Sequence, residues 1–216
     1  MAFTFFESEN ELGLALALKQ AQSEGAKAFA FSGGKSPIAL FKSLQNLLDA
    51  SSLSISLVDE RLGSPMHEDS NELLLRKYLL AGALARANFT GLLPERQINE
   101  TELIARLNAN YKQPDVVVLG MGEDSHFASI FPCCDELDLA LNQKPGYLIT
   151  KPKTAPYTRI TLSYKAIKAA RYIFLAISGE AKLKVFEKAS QKSDKALPIS
   201  LLLHDEGVNV HVYYHR

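Results

Sequence analysis

A chain of 216 residues is long enough for a full hydrophobic core, and 47% hydrophobic with 22% charged residues is ordinary for a soluble globular protein. Twenty-four basic and twenty-four acidic side chains cancel, so no overall field points to nucleic acid or an anionic membrane. The two cysteines, Cys133 and Cys134, are adjacent, a spacing that suits neither a disulfide framework nor a zinc site. The N-terminus lacks a basic, apolar signal segment, and no run approaches the ~20 apolar residues of a membrane span. The expectation is a cytoplasmic protein with unpaired thiols and no nucleic-acid or membrane partner. Its oligomeric state is left open.

Apolar spacing predicts a first helix over 11–23, from Leu12, Ala15, Leu16 and the Leu14/Leu18 pair. A short strand from Ala26 to Phe31 runs into Ser32-Gly33-Gly34-Lys35-Ser36-Pro37, and the helix after it carries Ile38, Phe41, Leu44 and Leu48 on one face. Ser54 to Val58 reads as a second strand, ending in Asp59-Glu60-Arg61. Asp69 followed by Glu72 reads as the cap of a helix that includes Leu75 and Leu79. Residues 82–100 are expected to be irregular, and Thr101 to Tyr111 helical. Val116 to Leu119 has the continuous apolar character of a strand buried on both faces. Further on, Tyr147 to Thr150 and Ile160 to Leu162 are short strand candidates, Tyr172 to Ile177 a firmer strand, and Glu180 to Gln191 a helix. Residues 198–203 read as a short helix and Val208 to Tyr214 as a last strand. Strand and helix alternate with no repeat, linker or low-complexity segment. This argues for one α/β domain over 1–216 with a mainly parallel sheet flanked by helices.

Ligands of open α/β sheets bind beyond the carboxyl ends of the strands, so chemistry is sought there. The loop Gly120-Met121-Gly122-Glu123-Asp124-Ser125-His126 follows the strand read as buried on both faces. An imidazole titrates at about 6.5, suited to proton transfer at neutral pH, which makes His126 the candidate general base. Asp124, two residues away, could orient it or bind substrate hydroxyls. The Ser32 to Ser36 turn joins a strand to a helix start, where free N–H groups favour phosphate; the plain alternative is a capped turn with Ser36 as N-cap. Asp59 and Arg61 close another strand at the same edge; three successive charges there are most commonly a solvated loop, and the alternative is that the planar fork of Arg61 holds a phosphate or carboxylate. Lys182, in the first turn of a helix, opposes the helix dipole unless it shares an anion with that terminus. The remaining histidines, His67, His204, His211 and His215, have no metal-ligand spacing, and there is neither a Walker motif nor a Gly-x-Ser-x-Gly elbow.

Four blocks together resemble the 6-phosphogluconolactonase family: Ser32-Gly33-Gly34-Lys35-Ser36-Pro37, then Asp59-Glu60-Arg61 with His67-Glu68-Asp69-Ser70-Asn71, then Leu119 to Pro132, then Arg159-Ile160-Thr161-Leu162. Gly179-Glu180-Ala181-Lys182 adds a shorter fifth, so the likeness covers residues 32–182. The resemblance implies a Rossmann-like sheet and hydrolysis of 6-phospho-D-glucono-1,5-lactone to 6-phosphogluconate, with no metal and no cofactor. It implies that His126 activates water, and that the Ser32–Ser36 turn, Arg61 and Lys182 hold the phosphate and substrate oxygens, with Arg159 a further candidate. Three residues depart from the family pattern: Ser125 where Gly is usual, Phe127 for Thr, and Ser36 for Thr. Two other functions fit the same fold, a glucosamine-6-phosphate deaminase/isomerase and a non-catalytic sugar-phosphate sensor. Arg61 and Phe131 stand where the deaminases typically carry Tyr and an acidic residue.

Overall fold

The computed structural model describes residues 2–34, 36–94 and 98–215. In it the chain runs β1 (Phe3–Ser8), α1 (Leu12–Ser23), β2 (Ala28–Phe31), α2 (Ile38–Leu44), β3 (Ser54–Leu57), β4 (Asp59–Arg61), α3 (Asn71–Tyr78), β5 (Asn88–Phe89) and α4 (Glu100–Ala109). It continues through β6 (Val116–Gly120), α5 (Leu137–Asn142), β7 (Tyr147–Thr150), β8 (Arg159–Leu162), α6 (Tyr164–Lys168), β9 (Tyr172–Ser178), α7 (Glu180–Ala189), α8 (Pro198–Leu203) and β10 (Val210–His215).

Seven of these strands form one sheet in the order β1-β10-β9-β6-β2-β3-β5, every neighbouring pair parallel. From β2 the chain adds β3 and β5 on one side, then crosses to add β6, β9 and β10 on the other. The reversal of direction lies between β2 and β6, where a doubly wound sheet leaves a crevice at the carboxyl edge. Both bordering strands are deeply buried: Phe29, Phe31, Val116 and Val117 are at 0% exposure, and Val118 and Leu119 at 3% and 1%. Helices on both faces remove water from both sides of β6, which explains its lack of alternation. Each such side chain contributes about 1.5–3 kcal/mol by burial.

The short strands depart from expectation. β7 and β8 do not extend the parallel sheet but pair antiparallel with each other and with β4, in a separate sheet of order β4-β8-β7. The chain changes sheets at Val58, whose N–H donates to Phe31 while its carbonyl accepts from Leu162. Residues 59–61 therefore belong to the second sheet rather than to the end of the first. β1 was not anticipated either. It is an edge strand, with Phe5 stacked on Phe186 of α7 on one face and Phe6 stacked on Tyr213 of β10 on the other.

Two helix readings shift for physical reasons. In α1 the buried residues are Leu14, Ala15, Leu18 and Ala21, while Leu12 and Leu16 are 49% and 52% exposed. At α3 the N-cap is Ser70, not Asp69; its hydroxyl accepts from the Leu73 N–H. The Glu60 carboxylate completes that terminus from a neighbouring strand, accepting from the N–H groups of Asn71 and Glu72. No helix among the described residues is long and apolar enough to cross a membrane.

Candidate active site

A cleft of about 260 Å³ opens at the carboxyl edge of the large sheet, over the crevice between β2 and β6. Residues at or past the strand ends line it: Ser32, Gly33, Gly34 and Ser36 after β2, Gly120 at the end of β6 with Gly122 and His126 beyond it, Ser178 at the end of β9 with Lys182 beyond it, and His215 at the end of β10. Asp59 and Arg61 enter from the small sheet, and Asn71 from the start of α3. The strand-end logic that singled out Ser32, Asp59, His126 and Lys182 brings them to one cavity. Lys35 lies outside the described residues.

The β2 turn passes close over Asn71. A Cβ built on Gly33 would stand 2.0 Å from Asn71 Oδ1, so only glycine admits this approach. Asn71 is held from below, its Nδ2 donating to the Asp59 carbonyl at 2.8 Å. The turn reaches the helix through Pro37 as N-cap with no side-chain cap, so Ser36 does not cap it and stays exposed at the cleft. Ser32 Oγ is buried without a hydrogen-bond partner among the described residues.

Among the described residues, Arg61 and Lys182 bring cationic side chains to this cavity. Arg61 Nη1 donates to the Asp69 carbonyl, which ties the loop between β4 and α3 to the rim. Burial pushes the Lys182 ammonium below the ordinary lysine range, and the charge of Glu123 opposes that shift. A bound anion would relieve the same desolvation. Arg159, by contrast, is not among the cleft-lining residues. It is 6% exposed and directly across the β4–β8 pair from Arg61, with its guanidinium against the rings of Phe131 and Tyr157. Asp59 is 7% exposed and accepts from Ser129 Oγ at 2.6 Å.

His126 sits on a closed turn. The Gly122 N–H donates to the His126 carbonyl at 2.9 Å, and the Ser125 N–H to the Gly122 carbonyl at 2.9 Å. The imidazole Nδ1 lies 2.5 Å from Asp124 Oδ1, an oxygen that also accepts from the His126 N–H at 3.2 Å. Burial opposes ionisation of Asp124, but the hydrogen bonds and charge of His126 outweigh it and hold the carboxyl below its ordinary value of 3.8. Asp124 itself is not a lining residue; it stands behind the histidine. A Cβ on Gly122 would come within 2.3 Å of the imidazole and 2.6 Å of Asp124 Oδ1, so this glycine makes room for the pair.

Ser125 takes the left-handed conformation, at φ +65°, that glycine adopts without cost. It is fully buried, its hydroxyl has no partner among the described residues, and its carbonyl accepts from Ile199 at the start of α8. The turn therefore keeps its shape with a serine, at a cost in strain and an unmet hydroxyl. Ser125→Gly is expected to raise stability by about 1 kcal/mol, read as a higher urea midpoint; a lower midpoint would show that the Cβ packs more favourably than it strains.

Sequence reasoning included Asn71 and Ser129 in the family-like blocks without giving either a role, and did not reach the contributions of Ser8, Asn10 and His215 to the cleft wall. The last three follow from the edge position of β1 beside β10. Among the described residues, no group of His, Cys, Asp and Glu is arranged to hold a metal ion.

Known proteins match this chain over nearly all its length. The model of the family described as glucosamine-6-phosphate isomerases/6-phosphogluconolactonase matches residues 9–212. A Neisseria meningitidis 6-phosphogluconolactonase is 41% identical over 199 residues, covering 88% of this chain and 86% of the relative. One from Helicobacter pylori strain J99 is 44% identical over 189 residues, covering 86% and 82%. The crystal structure of a 6-phosphogluconolactonase from Shewanella baltica superposes with a TM-score of 0.90 at 35% identity, covering 100% of this chain and 98% of that one.

Proposed function

The chain belongs to the family of glucosamine-6-phosphate isomerases and 6-phosphogluconolactonases, on its lactonase side, and from that premise we propose that it hydrolyses 6-phospho-D-glucono-1,5-lactone to 6-phospho-D-gluconate in the cytoplasm, acting as one domain over 1–216. The observation that carries the mechanism is the 2.5 Å contact between His126 Nδ1 and Asp124 Oδ1. With Nδ1–H donated to the carboxylate, Nε2 is left as the free base toward the cleft.

In this reading Nε2 takes a proton from water as the water oxygen bonds to the lactone carbonyl carbon. The tetrahedral adduct collapses by breaking the bond to the ring oxygen, and the imidazolium returns its proton to that oxygen. A lactone is already an activated ester, so a placed base and a bound handle suffice. The phosphate is the handle. The Ser32–Ser36 turn, Arg61 and Lys182 offer it N–H, hydroxyl and cationic donors, and its binding energy places the ring against His126. Asp59 is suited to accept from sugar hydroxyls. Arg159 supports the site from behind rather than by direct contact.

The test is to generate the lactone in place with glucose-6-phosphate dehydrogenase and follow proton release with and without the protein. Acceleration over spontaneous opening is expected; a rate equal to the uncatalysed one rejects the enzymatic reading and leaves a sugar-phosphate sensor. The pH dependence follows from Asp124. Its folded value is depressed, so its hold on the imidazole is complete above the ordinary aspartate range and fades only as pH falls through the lowered value. The kcat/KM profile from pH 5 to 8 should therefore show no carboxylate ionisation. A second acidic limb within that range would contradict the assignment of Asp124.

A further inference from the structure

Asp124 holds Nδ1 of His126 by one hydrogen bond, which resists rotation of the imidazole about its Cβ–Cγ bond but leaves both faces of the ring to be braced by other contacts. A second contact braces one of them. The ring of Phe131 lies on the imidazole with centroids 4.0 Å apart and planes 22° from parallel. Phe131 is itself buried, at 3% exposure. It is delivered by a tight return of the chain: Phe127 bridges to Met121 on one side and Ile130 on the other, the Ile130 N–H donates to the Phe127 carbonyl at 3.0 Å, and Ala128 is left-handed at φ +50°. The guanidinium of Arg159 sits 6.0 Å from the same ring. On the Gly122 side the imidazole occupies space that any Cβ would take, since one built there would fall 2.3 Å from both Cε1 and Nδ1.

We infer that Phe131 is a positioning residue for the hydrolytic reaction. Its flat face sets the plane of the His126 imidazole and so aims Nε2, while Asp124 sets which nitrogen carries the proton. The inference rests on the reading of His126 as the base. It divides the alignment of one catalytic ring between a polar and an apolar neighbour, and it gives buried Arg159 a place in the same stack behind Phe131.

The experiment compares Phe131→Leu, which keeps apolar bulk but loses the face, with Phe131→Tyr, which keeps the face. Phe131→Leu should lower kcat by about 10- to 100-fold, the scale of a misaligned catalytic group, with KM and phosphogluconate affinity within about twofold. Phe131→Tyr should recover most of that loss. The imidazole C–H proton resonances of His126 should move in Phe131→Leu, where the ring current is gone, and stay near their wild-type positions in Phe131→Tyr. On a His126→Ala background, Phe131→Leu should cost nothing further, because two residues acting as a unit are not additive. Wild-type kcat in Phe131→Leu overturns the inference. So does a loss shared equally by kcat, KM and phosphogluconate binding, which would make Phe131 a contact for substrate or a support for the fold. Should His126→Ala itself keep full turnover, the base reading falls first and this inference with it. A dead His126→Ala beside an unaffected Phe131→Leu sinks the inference alone.

Discussion

Replacing His126 with alanine should lower kcat by about 10²- to 10⁴-fold, the range expected when a positioned general base is removed, while phosphogluconate still binds with near wild-type affinity. The imidazole is the cleft-facing member of the Asp124 pair, and the donors proposed for the phosphate come from other elements, Ser32 after β2, Arg61 in β4 and Lys182 in α7. Removing the ring therefore takes away chemistry without taking away the handle. Single-turnover rates with lactone generated in place, set against calorimetric titration with phosphogluconate, separate the two. Equal losses in rate and affinity would make His126 a ligand contact instead. Asp124→Asn should fall between wild type and His126→Ala, since the amide can hold the ring but no longer favours its charged form.

The largest stability effect is expected at a residue that does not touch the cleft. Glu60 is at 0% exposure and its two carboxylate oxygens accept four hydrogen bonds: from the N–H of Arg61 at 2.7 Å, of Asn71 at 2.8 Å and of Glu72 at 2.7 Å, and from Ser70 Oγ at 3.0 Å. Burial pushes its carboxyl above the ordinary glutamate range, against the pull of those four donors. Glu60→Ala leaves the buried N–H groups at the start of α3 with no acceptor. It should cost about 3 kcal/mol or more, from several hydrogen bonds to a charged group lost together. Urea unfolding would measure it, and a loss under about 1 kcal/mol would mean that water replaces the carboxylate. Because Asp59, Arg61 and Asn71 all hang on this brace, substrate affinity should fall in the same variant.

The sequence made the large parallel sheet legible because its strands lose alternation when helices cover both faces, and Val116 to Leu119 is the plainest case. Candidate site residues were legible for a related reason: parallel strands end at one edge, so the residues just past each strand converge whatever their separation along the chain. Pairing was not legible. Tyr147–Thr150 and Ile160–Leu162 carry the signature of short strands, but nothing in a strand's own composition says which sheet it joins, and the crossing at Val58 is set by hydrogen bonds to both sides. Helix ends were misread where tertiary contacts outbid local ones, as at Ser70, where a carboxylate from β4 satisfies donors that a local capping box would otherwise serve. The exposed Leu12 and Leu16 show the same limit, since helical spacing alone does not say which of two apolar stripes faces inward. Phe131 was visible in the motif as a residue, but its stacking on His126 depends on a return of the chain that spacing does not reveal.

The edge strand β1 has its sheet partner at the far end of the chain, with Phe3 opposite Val210 and Ser8 opposite His215. During synthesis Phe3, Phe5 and Phe6 are made well before residues 210–215, and until those follow their partner strand does not exist. Contacts so distant in sequence form late and slow the final step of folding. In that interval the nascent protein carries an unpaired aromatic segment, the kind of surface that nascent chains shield with chaperones or lose to aggregation. The strand that completes the sheet is thus also where a stalled or truncated product would be most vulnerable.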